Sequence, residues 1–149
     1  KKIISDLFES TPERLFTIGR LDRDTTGLLL VTNDGHFANR VIHPSANITK
    51  EYLVRTHSEP FHEQLLQISK GIEIDGDWIQ PVKVTKVRKG TLKVIVREGK
   101  KREVRLLVEQ TGLKVLELKR IRIGGLLLGD IPEGSYRVLT EAERESIFR

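Results

Sequence analysis

The chain contains no cysteine and no methionine, and only 5% of its 149 residues are aromatic. Without cysteine it has no disulfide, no thiol nucleophile and no thiolate metal site. Since even the first position is not methionine, we expect the sequence to be a trimmed piece of a longer chain. No apolar run approaches the roughly 20 residues that a membrane helix needs, and no signal peptide is visible. We therefore expect no membrane partner.

The chain is rich in charged residues, which make up 32% of it. Lysine and arginine total 26 against 21 acidic residues, which gives a net charge of +5. A basic excess favours a polyanionic partner such as nucleic acid. Many ordinary globular proteins are mildly basic too, so charge alone leaves both interpretations open. The length suits one domain with a sizeable core, or two small lobes that share a sheet.

Short strand-like segments alternate with a few helical ones, which predicts an α+β protein with many antiparallel hairpins. Apolar or alternating patterns predict strands at residues 15–18, 28–32, 50–56, 72–74, 78–79, 82–87, 92–96, 115–123 and 135–139. Helical spacing predicts helices at residues 37–42, 61–68 and 104–108. A last helix should follow Thr140, because Thr140 and Glu143 have the spacing of a capping box.

A carboxylate between two cations marks the first candidate site. Asp22 lies between Arg20 and Arg23, in a break between apolar segments that Gly19 and Gly27 bracket. Neighbouring cations keep a carboxylate ionised, and an oriented carboxylate can act as nucleophile or base. An ordinary surface turn with an ion pair explains the same residues, and spacing alone favours that simpler interpretation.

The same loop also fits the pattern D-x-D-x-T, over Asp22 to Thr26. That pattern occurs in haloacid-dehalogenase-type phosphotransferases, where magnesium sits between the two carboxylates. Such enzymes need an unbroken buried strand before the first aspartate, and Gly19-Arg20 interrupts the strand here. A magnesium-dependent phosphotransferase that uses Asp22 and Asp24 is therefore the weaker alternative.

Two further segments carry candidate site residues. In the basic stretch 97–105, Arg102 and Arg105 share a helix face and could bind phosphates or a carboxylate, or form a solvated basic face. In the segment 50–54, Tyr52 beside Lys50 could stack on a base, or be a core tyrosine with a bonded hydroxyl. The four histidines have no ligand spacing, so we expect no metal.

Taken in order along the chain, these segments resemble the pseudouridine synthases, and most closely the RsuA-like branch that modifies ribosomal RNA. The resemblance spans nearly the whole chain and rests on several ordered motifs. They are Gly19-Arg20-Leu21-Asp22, Thr25 to Gly35, His43-Pro44, Lys50 to Val54, Glu98 to Arg105, Arg120 to Gly124 and Gly134 to Leu139. Two features depart from the branch: Glu103 stands where many members carry glutamine, and the usual N-terminal S4-type RNA-binding domain is absent.

The resemblance implies a fold, an activity and a set of residue roles. The fold would be a mixed, mostly antiparallel central sheet flanked by a few helices, with the active-site cleft across the sheet and residues 1–149 as one catalytic domain. The activity would be the cofactor-free isomerisation of uridine to pseudouridine in ribosomal RNA. Asp22 would be the catalytic carboxylate, Tyr52 the active-site tyrosine that packs on the base, and Arg105 the cation that pairs with Asp22. The RNA contacts would come from Arg20, Arg23, Lys50, Lys101 and Arg102.

The expected partner is ribosomal RNA, the expected state a monomer, and the expected location the bacterial cytoplasm, although an organelle enzyme would look the same. Besides the phosphotransferase, a non-catalytic RNA-binding module stays open as an alternative.

Overall fold

The computed structural model describes residues 14–97 and 102–149. In chain order, the strands are β1 (Phe16–Ile18), β2 (Thr25–Gly27), β3 (Leu30–Thr32), β4 (Lys50–Thr56), β5 (Ile72–Ile74), β6 (Asp77–Ile79), β7 (Lys83–Arg88), β8 (Thr91–Val96), β9 (Val115–Ile123) and β10 (Leu126–Leu127). The helices are α1 (Gly35–Ile42), α2 (His62–Lys70), α3 (Glu103–Glu109) and α4 (Glu141–Ser146), with a 3₁₀ turn at Pro44–Ala46.

A mixed, mostly antiparallel sheet forms the centre of the fold, as the resemblance implies. Its order is β10-β9-β4-β8-β7, and every pairing along that path is antiparallel. The short strand β2 joins the sheet by running parallel to β9. Two small antiparallel pairs, β1 with β3 and β5 with β6, lie outside this sheet.

The main core lies between one face of the sheet and the helices α2 and α3. On strands, alternate residues point to the same face, so Val54, Leu92 and Val94 meet Leu107 and Val108 of α3 with no exposed surface. A second apolar cluster packs β1, β3 and α1 against the end of the chain, where Ile147 is fully buried. The site described below lies where the central sheet meets the loop after β1.

Close backbone approach explains two of the glycines. Gly27 has φ +113, and a Cβ at this position would lie 2.2 Å from the carbonyl oxygen of Arg120. Glycine is therefore needed for β2 to pack against β9. Gly124 also has a positive φ, +56, and there is no room for a Cβ beside the Ile147 carbonyl. Glycine at this position therefore lets Ile147 pack into the second core.

Most predicted elements are confirmed, and β4 and β9 have the predicted bounds. Antiparallel hairpins form, as expected of this fold class, with turns at Asp75-Gly76 between β5 and β6 and at Lys89-Gly90 between β7 and β8. The closing helix begins at the predicted capping box, in which Thr140 Oγ1 accepts the N–H of Glu143. The strand predicted at 135–139 is wrong, because that segment has no regular secondary structure. Tyr136 and Val138 are exposed, and no strand of residues 14–97 or 102–149 pairs with this segment.

No helix among the described ranges combines the length and the apolar character that crossing a bilayer requires.

Candidate active site

A cleft of about 310 Å³ opens between the loop after β1, the central sheet and the start of α3. The loop contributes one wall, β4 and β9 form the floor, and the first turn of α3 closes the other side. The residues that line it are Gly19, Arg20, Leu21, Asp22, Thr25, Lys50, Tyr52, Val96, Arg102, Glu103, Val104, Leu118 and Arg120. The structure thus brings together the three sequence segments that were singled out separately.

Asp22 is half-buried on the loop wall and is held from two sides. Its carbonyl oxygen accepts the N–H of Thr25 at 2.9 Å, which closes a turn just before β2. Its carboxylate oxygen Oδ2 accepts the backbone N–H of Arg102 at 2.8 Å, across 80 residues of sequence. A hydrogen bond to a carboxylate is charge-assisted and directional, so the contact fixes where the carboxylate points.

Arg105 has a different partner from the one that the resemblance implies. Its Nη2 donates to the backbone carbonyl of Asp24 at 3.3 Å. No ion pair within 4.0 Å joins Arg105 to Asp22 among the described residues. Arg105 also does not line the cleft. In this structure it therefore holds the loop's backbone, two residues beyond Asp22, and its assigned role as direct partner of the carboxylate stays a prediction.

Tyr52 lies on the cleft floor opposite a buried arginine. Tyr52 and Arg120 are direct cross-strand partners of β4 and β9. Arg120 Nη1 lies 3.5 Å from the Tyr52 hydroxyl oxygen, and Arg120 Nε donates to the carbonyl of Leu28 at 2.8 Å. Arg120 is only 3% exposed. The guanidinium therefore links the floor of the cleft to the strand that follows the Asp22 loop.

A β-bulge decides which arginine reaches the cleft. The register shifts between Glu51 and Tyr52, so that Glu51 opposes Arg122 while Tyr52 opposes Arg120. In a regular strand Arg120 and Arg122 would share a face, but the extra residue Ile121 re-aims the chain. Arg122 instead donates to Glu51 Oε1 at 3.4 Å, and only Arg120 of these two lines the cleft.

The floor of the cleft is electropositive and partly dehydrated. Lys50 has a pKa below its ordinary value, first because it is buried and then because the Arg120 guanidinium lies near it. The carboxylate of Glu103 acts in the opposite direction and raises the pKa of Lys50. Glu103 is itself only 4% exposed. Two cations and one acid thus share this floor, and the excess positive charge faces the cleft.

The predicted RNA contacts separate into three groups. Arg20, Lys50 and Arg102 line the cleft. Arg23 is exposed and does not line it. Lys101 lies outside the described residues.

The geometry of Asp24 disfavours a cation shared with Asp22. The Asp24 carboxylate points to the guanidinium of Arg102, with Oδ2 and Nη1 3.7 Å apart. The strand before the loop, β1, has three residues, two of them exposed, unlike the buried strand that a phosphotransferase needs. Within the described ranges, no group of three or more histidine, aspartate and glutamate side chains could hold a metal ion.

From the sequence, neither Arg120 nor Glu103 was assigned a role in the site, although both line the cleft. Arg120 falls at an inward position of an alternating strand that also carries Leu118, and a cation in an apolar register position is a recognisable signal. Glu103 stood out only as a departure from the family pattern. Its proximity to Lys50 depends on the packing of α3 against the central sheet, which no local pattern encodes.

Comparison with known proteins shows the family of this chain. Residues 1–110 match the family model described as RNA pseudouridylate synthase. Ribosomal large subunit pseudouridine synthase B of Bacillus subtilis is 36% identical over 149 residues, which is 96% of this chain and 61% of that protein. A putative chloroplastic ribosomal large subunit pseudouridine synthase of Arabidopsis thaliana is 41% identical over 92% of this chain and 35% of its own length.

Among solved structures, one described as a pseudouridylate synthase superposes with a TM-score of 0.82. It is 32% identical, and the match covers 89% of this chain and 59% of that one. The chain thus spans about three-fifths of the length of this structure and of the Bacillus relative. The fold and the family model agree, and the chain belongs to the RNA pseudouridylate synthase family.

Proposed function

We propose that this chain isomerises specific uridines of ribosomal RNA to pseudouridine. One observation carries the proposal: Asp22, Tyr52 and an electropositive floor of Lys50 and Arg120 line a single cleft. The family match and the two relatives named for the large ribosomal subunit support the choice of reaction and of RNA.

The reaction conserves every atom of the nucleotide. The bond between N1 of uracil and C1′ of ribose breaks, the base turns, and C5 bonds to C1′. The proton on C5 leaves, and a proton is gained at N1. No electron is transferred to or from the nucleotide, so the chemistry itself calls for a positioned carboxylate, a proton acceptor and stabilisation of charge on the detached base.

The cleft supplies groups suited to these tasks. The Asp22 carboxylate starts the reaction, by attack on the sugar or the base or by removing a sugar proton. Tyr52 packs against the base and is placed to take the C5 proton. The cations of Lys50 and Arg120 stabilise negative charge on the base as the N1–C1′ bond breaks, since charges act strongly in a partly dehydrated site.

The target uridine must leave its stack to enter the cleft. Arg20 and Arg102 stand at the cleft lining, and together with Arg23 and Lys101 they bind the phosphates on either side of the flipped nucleotide. We further propose that the protein acts as a monomer where ribosomes assemble, in the bacterial cytoplasm or an organelle. The bacterial and chloroplastic relatives support both locations.

Tritium release tests the proposal directly. Ribosomal RNA labelled with tritium at C5 of uridine is incubated with the chain in EDTA, both as naked RNA and in precursor particles. We expect release by the parent and a loss of at least about 1,000-fold with Asp22→Asn, which keeps size but removes the charge. The matched control is Asp24→Asn, because Asp24 lies two residues away and does not line the cleft.

Each alternative predicts a different result. A phosphotransferase would lose activity in EDTA and with Asp24→Asn. A binding module would retain the RNA in a salt-sensitive complex, unchanged by Asp22→Asn and without tritium release. No release from either substrate, by this chain or by a longer form of the protein, would overturn the proposal.

A further inference from the structure

Arg102 contacts the loop that carries Asp22 in two independent ways. Its backbone N–H donates to Asp22 Oδ2 at 2.8 Å. Its guanidinium Nη1 lies 3.7 Å from Asp24 Oδ2, and the side chain is 41% exposed. The first contact needs a backbone conformation and no side chain, whereas the second needs the side chain. Substitutions can therefore separate them.

The backbone conformation of Arg102 is unusual for its residue type. Arg102 has φ 59 and ψ 20, in the left-handed region. Among the described residues, two other non-glycine residues have positive φ, Asn47 and Asp75. Asparagine and aspartate are the types that adopt this region most readily. Arginine has no such preference, so the surrounding structure holds Arg102 in this conformation.

The packing of α3 on the core holds Arg102 in the left-handed conformation. Arg102 directly precedes α3, and Val104, Leu107 and Val108 of that helix are buried against the sheet. The position of the Arg102 N–H is thus fixed by the core on which α3 packs, and not by the loop that carries Asp22. Strained backbone of this kind occurs preferentially at functional sites.

We propose that the left-handed backbone of Arg102 positions the catalytic carboxylate, independently of the Arg102 guanidinium. This inference rests on the proposed function, in which Asp22 starts the reaction. Arg102 is a positioning residue here: its N–H selects one orientation of the Asp22 side chain, and its guanidinium contributes separately to the binding of RNA.

Three variants at the same position separate the two roles. Arg102→Gly, Arg102→Asn and Arg102→Val all remove the guanidinium, but only valine, which is β-branched, resists the left-handed region. In the tritium-release assay we expect KM to rise alike in all three. We expect kcat of the glycine and asparagine variants to stay close together, and kcat of the valine variant to fall about 10- to 100-fold further, as for a lost charged hydrogen bond.

Strain alone must be excluded as the cause. Asp75 also has left-handed backbone, φ 51, in the turn between β5 and β6, and it does not line the cleft. Asp75→Val therefore introduces comparable strain elsewhere and should leave kcat unchanged. Thermal unfolding of each variant identifies any loss of folded protein. If Arg102→Val does not fold, Arg102→Ala against Arg102→Asn makes the same comparison with less strain.

A second readout does not depend on turnover. In ¹⁵N–¹H spectra the Arg102 amide should be protected from exchange, and Asp22→Ala should abolish that protection while Asp24→Ala preserves it. Equal kcat for the glycine, asparagine and valine variants, or an Arg102 amide insensitive to Asp22→Ala, would overturn the inference. Amide protection without tritium release by the parent would instead overturn the proposed function.

Discussion

The charged side chains under the cleft and those around α4 differ in how their charges are balanced. Under the cleft, Lys50 lies near both the Arg120 guanidinium and the Glu103 carboxylate, and the pKa of Lys50 is lowered. Around α4, two acids each have an arginine of their own: Glu143 pairs with Arg137, and Glu145 with Arg40.

Burial explains the difference and its use. The cleft residues are removed from water, so an unbalanced charge there costs free energy, which a bound anion can recover. The pairs around α4 are exposed, and exposed pairs contribute little because water screens them. Positive charge is therefore in excess under the cleft, where a polyanion would bind. Around α4 the arginines are neutralised by acids, and these pairs only hold the end of the fold in place.

Within this comparison of the two charged regions, the largest expected effect comes from removing the buried guanidinium of Arg120. Arg120→Met keeps the length of the side chain but leaves the Leu28 carbonyl without its donor, which should lower the free energy of unfolding by about 1–3 kcal/mol. Turnover should fall about 100-fold, because a cation that stabilises the detached base is lost. Chemical denaturation and tritium release measure the two effects.

Arg122 provides the matched control for Arg120. It lies two residues away, on the other side of the bulge, where it donates to Thr49 Oγ1 at 3.0 Å and to the Gly124 carbonyl. Arg122→Met should lower stability by a similar amount and leave turnover unchanged. Equal losses of turnover in both variants would show that Arg120 acts only through the fold.

An intermediate effect is expected from Glu103→Gln, which removes the acid from the cleft floor. Since Glu103 raises the pKa of Lys50, the pKa should fall further in the variant, as a ¹³C titration of the Lys50 side chain can measure. The folded state already binds the Lys50 proton less tightly than the unfolded state, whose pKa is 10.5. Protonated Lys50 therefore costs stability, and this cost falls as the pH rises towards 10.5, so the free energy of unfolding rises.

The sign of the pH dependence follows from this. At neutral pH Glu103→Gln should be less stable than the parent, by about 1.4 kcal/mol for each unit by which the pKa of Lys50 falls in the variant. The difference should shrink as the pH approaches 10.5 and Lys50 loses its proton in both proteins. Glu73→Gln, on an exposed position of β5, is the control. An unchanged Lys50 titration in Glu103→Gln would contradict the charge-sharing arrangement.

The smallest effect should come from α4. Arg137, followed by the N–H of Thr140, lowers the pKa of Glu143 to about 2 from 4.5. A carboxylate with a lowered folded pKa stabilises the fold above 4.5 and ceases to do so as the pH falls towards 2. In that window we expect the first turn of α4 to lose amide protection in the parent, and Glu143→Gln to lack this pH dependence.

Only local fraying should accompany this loss. The fully buried side chain of Ile147 keeps the end of the chain in the second core. Unfolding of the whole protein in the same pH window would contradict the minor contribution assigned to exposed pairs. Tritium release at neutral pH, with Glu143→Gln compared with the parent, should give equal rates.

Elements with a clear local pattern could be predicted from the sequence. Strand β9 alternates over nine residues and α4 has a capping box, and both form as predicted. The segment 135–139 alternates equally well, but within the part of the chain that the structure describes no strand pairs with it. A strand pattern predicts a strand only if a neighbouring strand is available. The short strand β2 was missed because its pairing to β9 depends on Gly27 and on residues about 90 positions later.

In the candidate site too, some residues could be predicted from the sequence and others could not. Asp22 and Tyr52 could be singled out because their motifs are local and their order matches a family. Arg120 could not be told apart from Arg122, because simple alternation places both on one face. The bulge at Ile121 separates them, and a bulge is set by pairing with β4 and not by the residues of β9. The partner of the Asp22 carboxylate was missed for a similar reason, since a backbone N–H has no sequence signal.

The pairing of β2 with β9 also has a consequence for the time at which the site forms during synthesis. Asp22 leaves the ribosome before Arg120, against which Gly27 packs. At roughly 5–20 residues per second, the carboxylate waits on the order of 5–20 s for the strand that completes its cleft. During that interval the nascent chain carries Asp22 without an assembled site, and the cleft can accept a nucleotide only once β9 has been synthesised.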